Sequence, residues 1–156
     1  MNFIFVKIDN INKKILYLLQ KDARMTYKEI ANELKRSETT IRDRIKAMEK
    51  VGIIQGYTAL IDKTALGLNF FAIIFGNPAS SSDLDNITEK IKKVKNVMRV
   101  YQISGEHRLA IFMVAQSYKE LKEIIRSQLL PLGLKDEEII TVLEADSEFI
   151  SPLEIP

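Results

Sequence analysis

Residues 37–52 read SETTIRDRIKAMEKVG, and this stretch decides the fold of the N-terminal part of the chain. On a helix of about 3.6 residues per turn, Ile41, Ile45 and Met48 fall on one apolar stripe. The opposite face is polar and mostly cationic, and it carries Thr39, Arg42, Asp43, Lys46 and Lys50. Such a helix can pack on a small domain through its stripe while its other face enters a groove of DNA.

Local end signals predict two further helices before this one. Asp9 or Asn12 can cap the first helix, whose apolar residues follow at helical spacing. Thr26 and Glu29 fit a capping box, in which each side chain accepts a hydrogen bond from the other residue's backbone amide. The serine that opens the quoted stretch can cap the third helix, and its final glycine can adopt the left-handed conformation of a helix end. Three helices with a short connection before the most basic one are typical of a helix-turn-helix (winged-helix-like) domain, which we place at residues 1–53.

Composition restricts the class of protein. The 156 residues, 46% hydrophobic and 28% charged, suit one average domain or two small ones. The chain has no cysteine and one histidine, which argues against disulfides, thiolate chemistry and a histidine-based metal site, so we expect no cofactor and no metal. No apolar run is long enough to span a bilayer, and the N-terminus lacks a signal-peptide pattern. We therefore expect a cytoplasmic protein with no membrane partner.

Charge is distributed unevenly along the chain. Residues 1–55 carry 12 Lys and Arg against 7 Asp and Glu, whereas residues 56–156 carry 11 against 14. A basic N-terminal part on an acidic remainder predicts two modules, of which the first meets a polyanion. The apolar residues 1–7 form either a short strand or a poorly ordered terminus.

The second half of the chain follows a β-α-β-β-α-β pattern. Strands are predicted at 70–75, 97–103, 109–115 and 139–143, helices at 84–95 and 118–130, and loops at 76–82 and 104–108. This order predicts a ferredoxin-like domain at residues 69–156, so the fold class is α+β. A hinge strand and linker at residues 54–68, strand-like over 57–61, join it to the first domain. Because the strands are apolar on both faces, a second copy of the chain is the simplest cover for the face without helices.

Taken in order, these residues resemble the Lrp/AsnC family of transcription regulators, also called feast/famine regulators. The N-terminal signature is carried by Ile8-Asp9, Lys14–Leu16, Leu19–Arg24, Glu29–Ala31, Ser37, Thr40-Ile41, Arg44-Ile45, Glu49 and Gly52–Ile54. Gly56–Ala59 is similar to the family's hinge strand, and the C-terminal half is similar to its regulatory domain, including a turn at Gly105-Glu106. The resemblance covers essentially the whole chain.

The resemblance implies a sequence-specific transcription regulator that binds double-stranded DNA and is not an enzyme. It also implies homodimers formed through the sheets of the C-terminal domains, with further assembly into tetramers or octamers. A small effector, often an amino acid, is expected near the Gly105 turn. One departure bears on that effector, because Arg108 stands where the family commonly has an aspartate.

Candidate DNA contacts lie on the quoted helix and just before it. They are Lys28, Lys35, Arg36, Ser37, Glu38, Thr39, Thr40, Arg42, Asp43, Arg44 and Lys46. Arg42 can read guanine through two parallel hydrogen bonds and Asp43 can accept one from cytosine, although Asp43 can equally pair with Lys46 on the surface. The three cations before the helix are expected to bind phosphate, which positions the protein without selecting sequence. Arg44 lies near the apolar stripe and either supports the helix or contacts phosphate.

Candidate effector contacts are Ser104, Gly105, Glu106, His107 and Arg108. Arg108 can clasp a ligand carboxylate through two parallel hydrogen bonds. The other interpretation is a plain β-turn whose charges face solvent or an assembly contact.

Two alternative functions remain open from the sequence. Some proteins that resemble this family are sirohaem decarboxylases, and His107 with Arg108 would then supply a proton donor and a carboxylate clamp. A further alternative keeps only the C-terminal half functional, as a metabolite sensor that acts on a protein partner. The basic helix argues against both, and we assign no catalytic residue.

Overall fold

The computed structural model describes residues 6–80, 83–143, 152–153 and 155. The chain divides into two compact units, of which the first comprises Met1–Leu60 with Ser147–Pro156 and the second comprises Ile61–Asp146. Of the final residues, the described ones, 152, 153 and 155, therefore group with the N-terminal unit, although the sequence pattern assigned them to the C-terminal domain. Most of the predicted N-terminal strand, residues 1–5, lies outside the described residues.

The first unit is built from three helices, α1 (Asn10–Lys21), α2 (Tyr27–Leu34) and α3 (Glu38–Lys50). Their apolar stripes meet in one small core, formed by Ile15, Leu19, Ile30, Ala31, Ile41, Ile45 and Met48. None of these side chains is more than 9% exposed. The predicted helix-turn-helix and the stripe of the third helix are confirmed, because helical spacing and burial agree in all three helices.

The helix ends follow the local signals in the sequence. Asp9 caps α1 by accepting hydrogen bonds from two backbone amides of the first turn, and Asn12, the other candidate, lies buried inside the helix. Thr26 and Glu29 form the complete capping box at the start of α2. Ser37 caps α3. Each cap satisfies amides that have no partner within the helix, which fixes where the three helices begin.

The hinge segment, residues 53–60, differs from the predicted hinge strand. Gly52 ends α3 at a φ of 76°, as predicted for the closing glycine. Within the described part of the chain, the segment that follows pairs with no strand, and a single 3-10 turn comes next at Thr64–Leu66. Apolar and β-branched residues form a strand only where a neighbouring segment completes their backbone hydrogen bonds, which the sequence pattern alone does not guarantee.

The second unit contains a four-stranded antiparallel sheet with the order β2-β3-β1-β4. The strands are β1 (Phe70–Pro78), β2 (Val97–Gln102), β3 (Leu109–Ala115) and β4 (Leu134–Val142). Two helices, α4 (Leu84–Ile91) and α5 (Tyr118–Ile124), pack with one face of the sheet around a common core. A π-helical turn at Ile125–Leu129 and a 3-10 turn at Leu130–Leu132 extend α5. The predicted ferredoxin-like order is confirmed.

Several element bounds differ from the sequence pattern, three of them where the fold positions the candidate site. β1 continues to Pro78, through residues assigned to a loop, and β4 begins at Leu134 rather than at residue 139. The two extensions pair with each other beyond a bulge, through partners such as Asn77 and Lys135. Polar residues join strands here because a distant segment lies alongside, and hydrophobic alternation cannot reveal that pairing. α4 is shorter than predicted and ends at Ile91 instead of residue 95.

The two faces of the sheet have different surroundings. Ala72, Ile74 and Ile111 face the helices and are fully buried. The alternate positions form the open face, which is mostly apolar and carries a charged residue on each edge strand, Arg99 and Glu138; its large apolar residues are Phe71, Ile73, Phe75, Tyr101, Phe112, Val114, Ile140 and Val142. Its edges are the most exposed part, with 49% of Tyr101 and 43% of Ile140 accessible. In the described ranges, no helix is long and apolar enough to cross a membrane.

Candidate nucleic-acid interface

Helix α3 presents one face to the core and the opposite face to solvent. Ile41, Ile45 and Met48 are at most 1% exposed, and their burial fixes the rotation of the helix about its axis. The opposite face is therefore held outward, and its exposed side chains are Thr39, Arg42, Asp43, Lys46 and Lys50. A rigid helix with a fixed outer face is what groove recognition requires, because base contacts depend on side-chain placement.

The contact between Arg42 and Asp43 leaves both side chains available. The Arg42 Nε lies 3.5 Å from Asp43 Oδ1, and the two side chains are 44% and 65% exposed. Asp43 thus contacts Arg42 in the described structure, whereas the sequence suggested that it pairs with Lys46. An exposed pair at this distance contributes little to stability, so either group can exchange it for a base edge.

Three cations precede α3 in the chain, one in the first turn of α2 and two in the connection between α2 and α3. Lys28, Lys35 and Arg36 are all exposed. Lys35 ends α2 in the left-handed conformation at a φ of 52°, which forms the tight turn without the glycine often found there. The Arg36 amide then donates to the Ala31 carbonyl at 2.9 Å. The turn therefore brings cations close to the start of α3, where phosphate contacts are expected.

The predicted contacts at the start of α3 have structural roles as well. The Thr40 amide donates to the Ser37 hydroxyl at 3.1 Å, and the two hydroxyl oxygens lie 2.7 Å apart. Thr40 is only partly exposed, whereas Glu38 is exposed. Glu38 lies in the first turn, where a negative charge suits the helix dipole. Ser37 and Thr40 are therefore occupied in capping the helix.

Arg44 turns back toward α1 and supports α3. Its Nη1 donates to both carboxylate oxygens of Asp9, at 2.9 and 2.8 Å, and to Asn12 Oδ1 at 3.0 Å. Asn12 in turn donates to the Lys7 carbonyl at 2.8 Å. Hydrogen bonds from the Asn12 amide and from the Arg44 guanidinium lower the pKa of Asp9. Of the two interpretations of Arg44, the geometry favours support of the helix.

The hinge segment is tied to the end of α3 by a contact that the sequence did not reveal. The Tyr57 hydroxyl donates to Glu49 Oε1 at 2.8 Å. Burial and the neighbouring Glu49 carboxylate raise the pKa of Tyr57 to about 12, so the tyrosine keeps its proton at neutral pH. The pair holds the hinge segment against the last turns of the helix.

The turn between β2 and β3 is held by a residue on β1. The Ile103 amide donates to the Arg108 carbonyl at 2.9 Å and closes the hairpin. Asn77 Oδ1 accepts from the Arg108 amide at 3.0 Å, and its Nδ2 donates to the Glu106 carbonyl at 3.3 Å. The remaining candidates in the turn, Ser104 and Gly105, are exposed.

The five predicted effector residues do not converge on one site. Arg108 lines a cavity of about 260 Å³ together with Asn77, Pro78, Leu84 and Asp136. Ser104, Gly105, Glu106 and His107 do not line it. The four additional residues come from β1, α4 and β4, and no local pattern indicated them because the tertiary fold brings these elements together.

His107 packs into the sheet rather than into this cavity. Its ring stacks on Phe75 with centroids 5.9 Å apart, and its Nε2 lies 3.4 Å from Glu138 Oε2. Arg108 lines the cavity instead. Among the residues that the structure describes, no group of three or more metal-ligating side chains could hold an ion.

Comparison with family models agrees with the two units. Residues 8–55 match the model of a winged helix-turn-helix DNA-binding domain. Residues 69–147 match the model of the Lrp/AsnC ligand binding domain. The two matches leave only the linker between them and the ends of the chain unassigned.

Individual proteins support the same assignment. The HTH-type transcriptional regulator LrpA of Pyrococcus horikoshii is 38% identical over 122 residues, covering 78% of this chain and 86% of that protein. The structure of Escherichia coli AsnC superposes with a TM-score of 0.83 at 23% identity, over 95% of this chain and 100% of that one. A Neisseria meningitidis transcriptional regulator in complex with L-Met gives 0.82 at 22% identity, over 96% and 97%. These two structures share the fold of this chain.

Proposed function

The chain belongs to the Lrp/AsnC family of transcription regulators, and we propose that it reads duplex DNA through the exposed face of α3. The protein is a DNA-binding transcription regulator with a ligand-binding domain. The observation that carries the proposal is the division of α3 into a buried stripe and an outward polar face. Thr39, Arg42, Asp43 and Lys46 are the side chains best placed to reach base edges.

The DNA affinity of variants with substitutions on the exposed face of α3 tests this proposal. A duplex is first selected from a randomised library with the wild-type protein and then titrated by fluorescence anisotropy. We expect Arg42→Ala to weaken binding by about 1–3 kcal/mol, because a bidentate base contact is lost. We expect Lys46→Ala to weaken it too. Lys14→Ala removes an exposed cation from α1 and should bind as the wild type does. Wild-type affinity in both α3 variants would contradict the assigned face.

The cations before α3 are assigned to phosphate. Lys28, Lys35 and Arg36 are exposed, and the turn that contains the last two immediately precedes the recognition helix. We expect Lys28→Ala to lower affinity for all duplexes alike and to reduce the slope of log K against log salt by roughly one. The selected sequence should stay the same, because phosphate contacts carry no sequence information.

Dimers form through the open face of the sheet. That face is mostly apolar, with Arg99 and Glu138 on its edge strands, and Tyr101 packs edge-to-face on Phe112 with centroids 5.5 Å apart. A two-fold dimer buries the same patch on both copies and carries two copies of α3, which suits successive half-sites of an operator. Tetramers or octamers would place further half-sites in series.

The ligand of the C-terminal domain is an amino acid. A solved relative of this fold is a complex with L-Met. In this chain the cavity at Arg108 has a cation and, in Asp136, an anion among its lining residues, with Leu84 as an apolar wall. A guanidinium suits the carboxylate of an amino acid, and a carboxylate suits its ammonium group.

Calorimetric titration distinguishes an amino-acid site at Arg108 from a β-turn that binds no ligand. Each of the twenty amino acids is titrated into the wild type, Arg108→Ala and Glu106→Ala. We expect Arg108→Ala to lose the binding, whereas Glu106→Ala, in the same turn but outside the cavity, keeps it. Equal binding by both variants would show that the cavity is not the binding site of the amino acid.

Cellular location and the lack of catalysis follow from this function. A regulator of transcription acts where DNA is, so we place the protein in the cytoplasm. We assign it no catalytic activity, because its two candidate catalytic groups point to different surroundings.

A further inference from the structure

The open face of the sheet carries one charge on each of its two edges. The order β2-β3-β1-β4 makes β2 and β4 the edge strands. Arg99 of β2 is in register with Phe112, and Glu138 of β4 is in register with Phe75. Directly paired residues of antiparallel strands turn their side chains to the same face, so both charges belong to the face without helices. Three strand spacings, about 14 Å, separate the two edges.

Neither charge has a strong partner within its own chain. Arg99 is exposed, and among the described residues it forms no ion pair. The Glu138 side chain is 60% exposed, and its Oε2 lies 3.4 Å from the His107 Nε2. Burying a charge without a partner is costly, whereas burying the apolar residues of the same face is favourable. A surface that covers this face must therefore bring an anion to Arg99 and a donor to Glu138.

A second copy of this chain can supply both groups, but only in one of two orientations. A two-fold axis that runs along the strands places β2 of one copy over β4 of the other, so that opposite charges face each other. An axis across the strands places each edge over its own counterpart, so that arginine faces arginine and glutamate faces glutamate. Both orientations bury the same apolar patch, and the charges therefore distinguish them, because like charges in an interface are unfavourable.

The register of the strands brings the charged groups within reach when the axis runs along the strands. One row across the open face consists of Tyr101, Ala110, Phe75 and Glu138. Such an axis places each row over the same row of the second copy in reversed order. Glu138 of the partner subunit then comes opposite Tyr101, whose hydroxyl can donate a hydrogen bond. Arg99 lies two residues, about 7 Å, away from Tyr101 along β2, and its long side chain spans that distance.

We propose that Arg99 of each copy pairs with Glu138 of the partner subunit, and that these two symmetric ion pairs set the orientation of the dimer. The inference rests on the open-face dimer proposed above, and it adds the residues that choose between the two orientations. The same pairs influence partner choice, because a related chain without matching charges at these edges would leave Arg99 and Glu138 unpaired. The partner that fits this face is therefore a second copy of this chain.

Charge reversal in the full-length protein tests the pairing, with the dimer dissociation constant measured by sedimentation equilibrium. Arg99→Glu and Glu138→Arg each place two like-charge pairs in the dimer, and we expect each to raise the dissociation constant at least about tenfold. The double variant restores both pairs with their signs exchanged, and its dissociation constant should return to within about threefold of the wild-type value. The matched controls, Lys119→Glu and Glu123→Arg, reverse the same charges at exposed positions of α5 and should dimerise as the wild type does.

Mixing the two single variants gives a second measurement of the same pairing. A heterodimer of Arg99→Glu with Glu138→Arg carries two opposite-charge pairs, so we expect the mixture to associate more tightly than either variant alone. A wild-type dissociation constant in either single variant, or no recovery in the double variant and in the mixture, would overturn the pairing. An axis across the strands predicts unchanged single variants, because each reversal then leaves the number of like-charge pairs the same.

Ile140→Asp distinguishes failure of the ion pairs from failure of the interface, because Ile140 lies on the same open face as the two charges. A monomeric Ile140→Asp together with unaffected charge reversals would support the open-face interface and reject the ion pairs. A dimeric Ile140→Asp would reject the open-face interface and the ion pairs with it.

Discussion

Lys35 shows how a single residue sets the geometry of the helix-turn-helix. It adopts a left-handed conformation, with a φ of 52°, at the end of α2. A residue with a Cβ pays a steric penalty there, whereas glycine does not. Lys35 is exposed and lies two residues before Ser37, the N-cap of α3, where we propose that its charge binds phosphate.

We expect Lys35→Gly to be more stable than Lys35→Ala by about 1 kcal/mol in the free energy of unfolding. Both variants lose the same charge and differ only in the Cβ, so the comparison isolates the backbone strain. Urea denaturation followed by circular dichroism measures it. Equal stability of the two variants would show that the turn is not strained at this position.

Asp9 makes the stability of the first unit depend on pH in the acidic range. Hydrogen bonds from the Asn12 amide and from Arg44 lower the pKa of Asp9 in the folded state below the value of 3.8 expected without them. The folded state therefore binds this proton less tightly than the unfolded state. The stabilisation is present above about pH 3.8 and is lost as the pH falls through the lower folded-state pKa.

Replacing this carboxylate should flatten the acid side of the stability profile. At neutral pH, the midpoint of thermal unfolding should be lower in Asp9→Asn than in the wild type. Between roughly pH 5 and 2, where such a carboxylate takes up its proton, the midpoint should decline less in Asp9→Asn. Glu33→Gln, on the exposed side of α2, controls for the loss of one negative charge. Parallel profiles in Asp9→Asn and the wild type would contradict the role of the Asp9–Arg44 pair.

At the scale of the element, α3 begins where Ser37 caps it. The hydroxyl accepts the Thr40 amide, and alanine cannot replace that acceptor. We expect Ser37→Ala to lower the free energy of unfolding by about 1 kcal/mol and Ser37→Gly by only a few tenths. Thermal unfolding of the two variants measures the difference. If Ser37 also contacts DNA, both variants should lose affinity equally, whereas a capping role alone predicts loss mainly in Ser37→Ala.

The helices of the first unit could be predicted from sequence because their signals are local. The caps at Asp9, Thr26 and Ser37 act within four residues of the chain, and the apolar spacing follows the helical period. Strand bounds depend instead on which distant segment lies alongside. Pairing between segments such as those of Asn77 and Lys135 extends two strands over polar residues. The hinge segment pairs with no strand in the described part of the chain.

The candidate sites divide in the same way. The outward face of α3 follows from its own period, so its residues could be named from the sequence. The cavity at Arg108 is assembled from the β2–β3 turn and from β1, α4 and β4, and of its lining residues only Arg108 could be named from the sequence. The Arg44–Asp9 pair joins residues 35 positions apart, and the sequence left its role undecided.

At the scale of the whole molecule, the open face of the sheet is the proposed dimer interface. Ile140 is 43% exposed on that face, so replacing it should leave the core of the folded unit intact. We expect Ile140→Asp to convert the proposed dimer to a monomer, because an unpaired carboxylate buried within a mostly apolar interface is costly. Sedimentation equilibrium measures the mass. Leu66→Asp, at a leucine that is 64% exposed outside the sheet, should remain dimeric. A dimeric Ile140→Asp would place the interface elsewhere.

The central claim is that α3 carries the face that meets DNA, and cleavage from a tethered probe tests it most directly. The chain has no cysteine, so Glu38→Cys on α3 and Lys14→Cys on α1 can each carry one iron chelate that cuts nearby DNA. With the selected duplex, we predict cuts within the bound site from position 38 and only background cleavage from position 14. Background cleavage from position 38, or equal cleavage from both positions, would contradict the account.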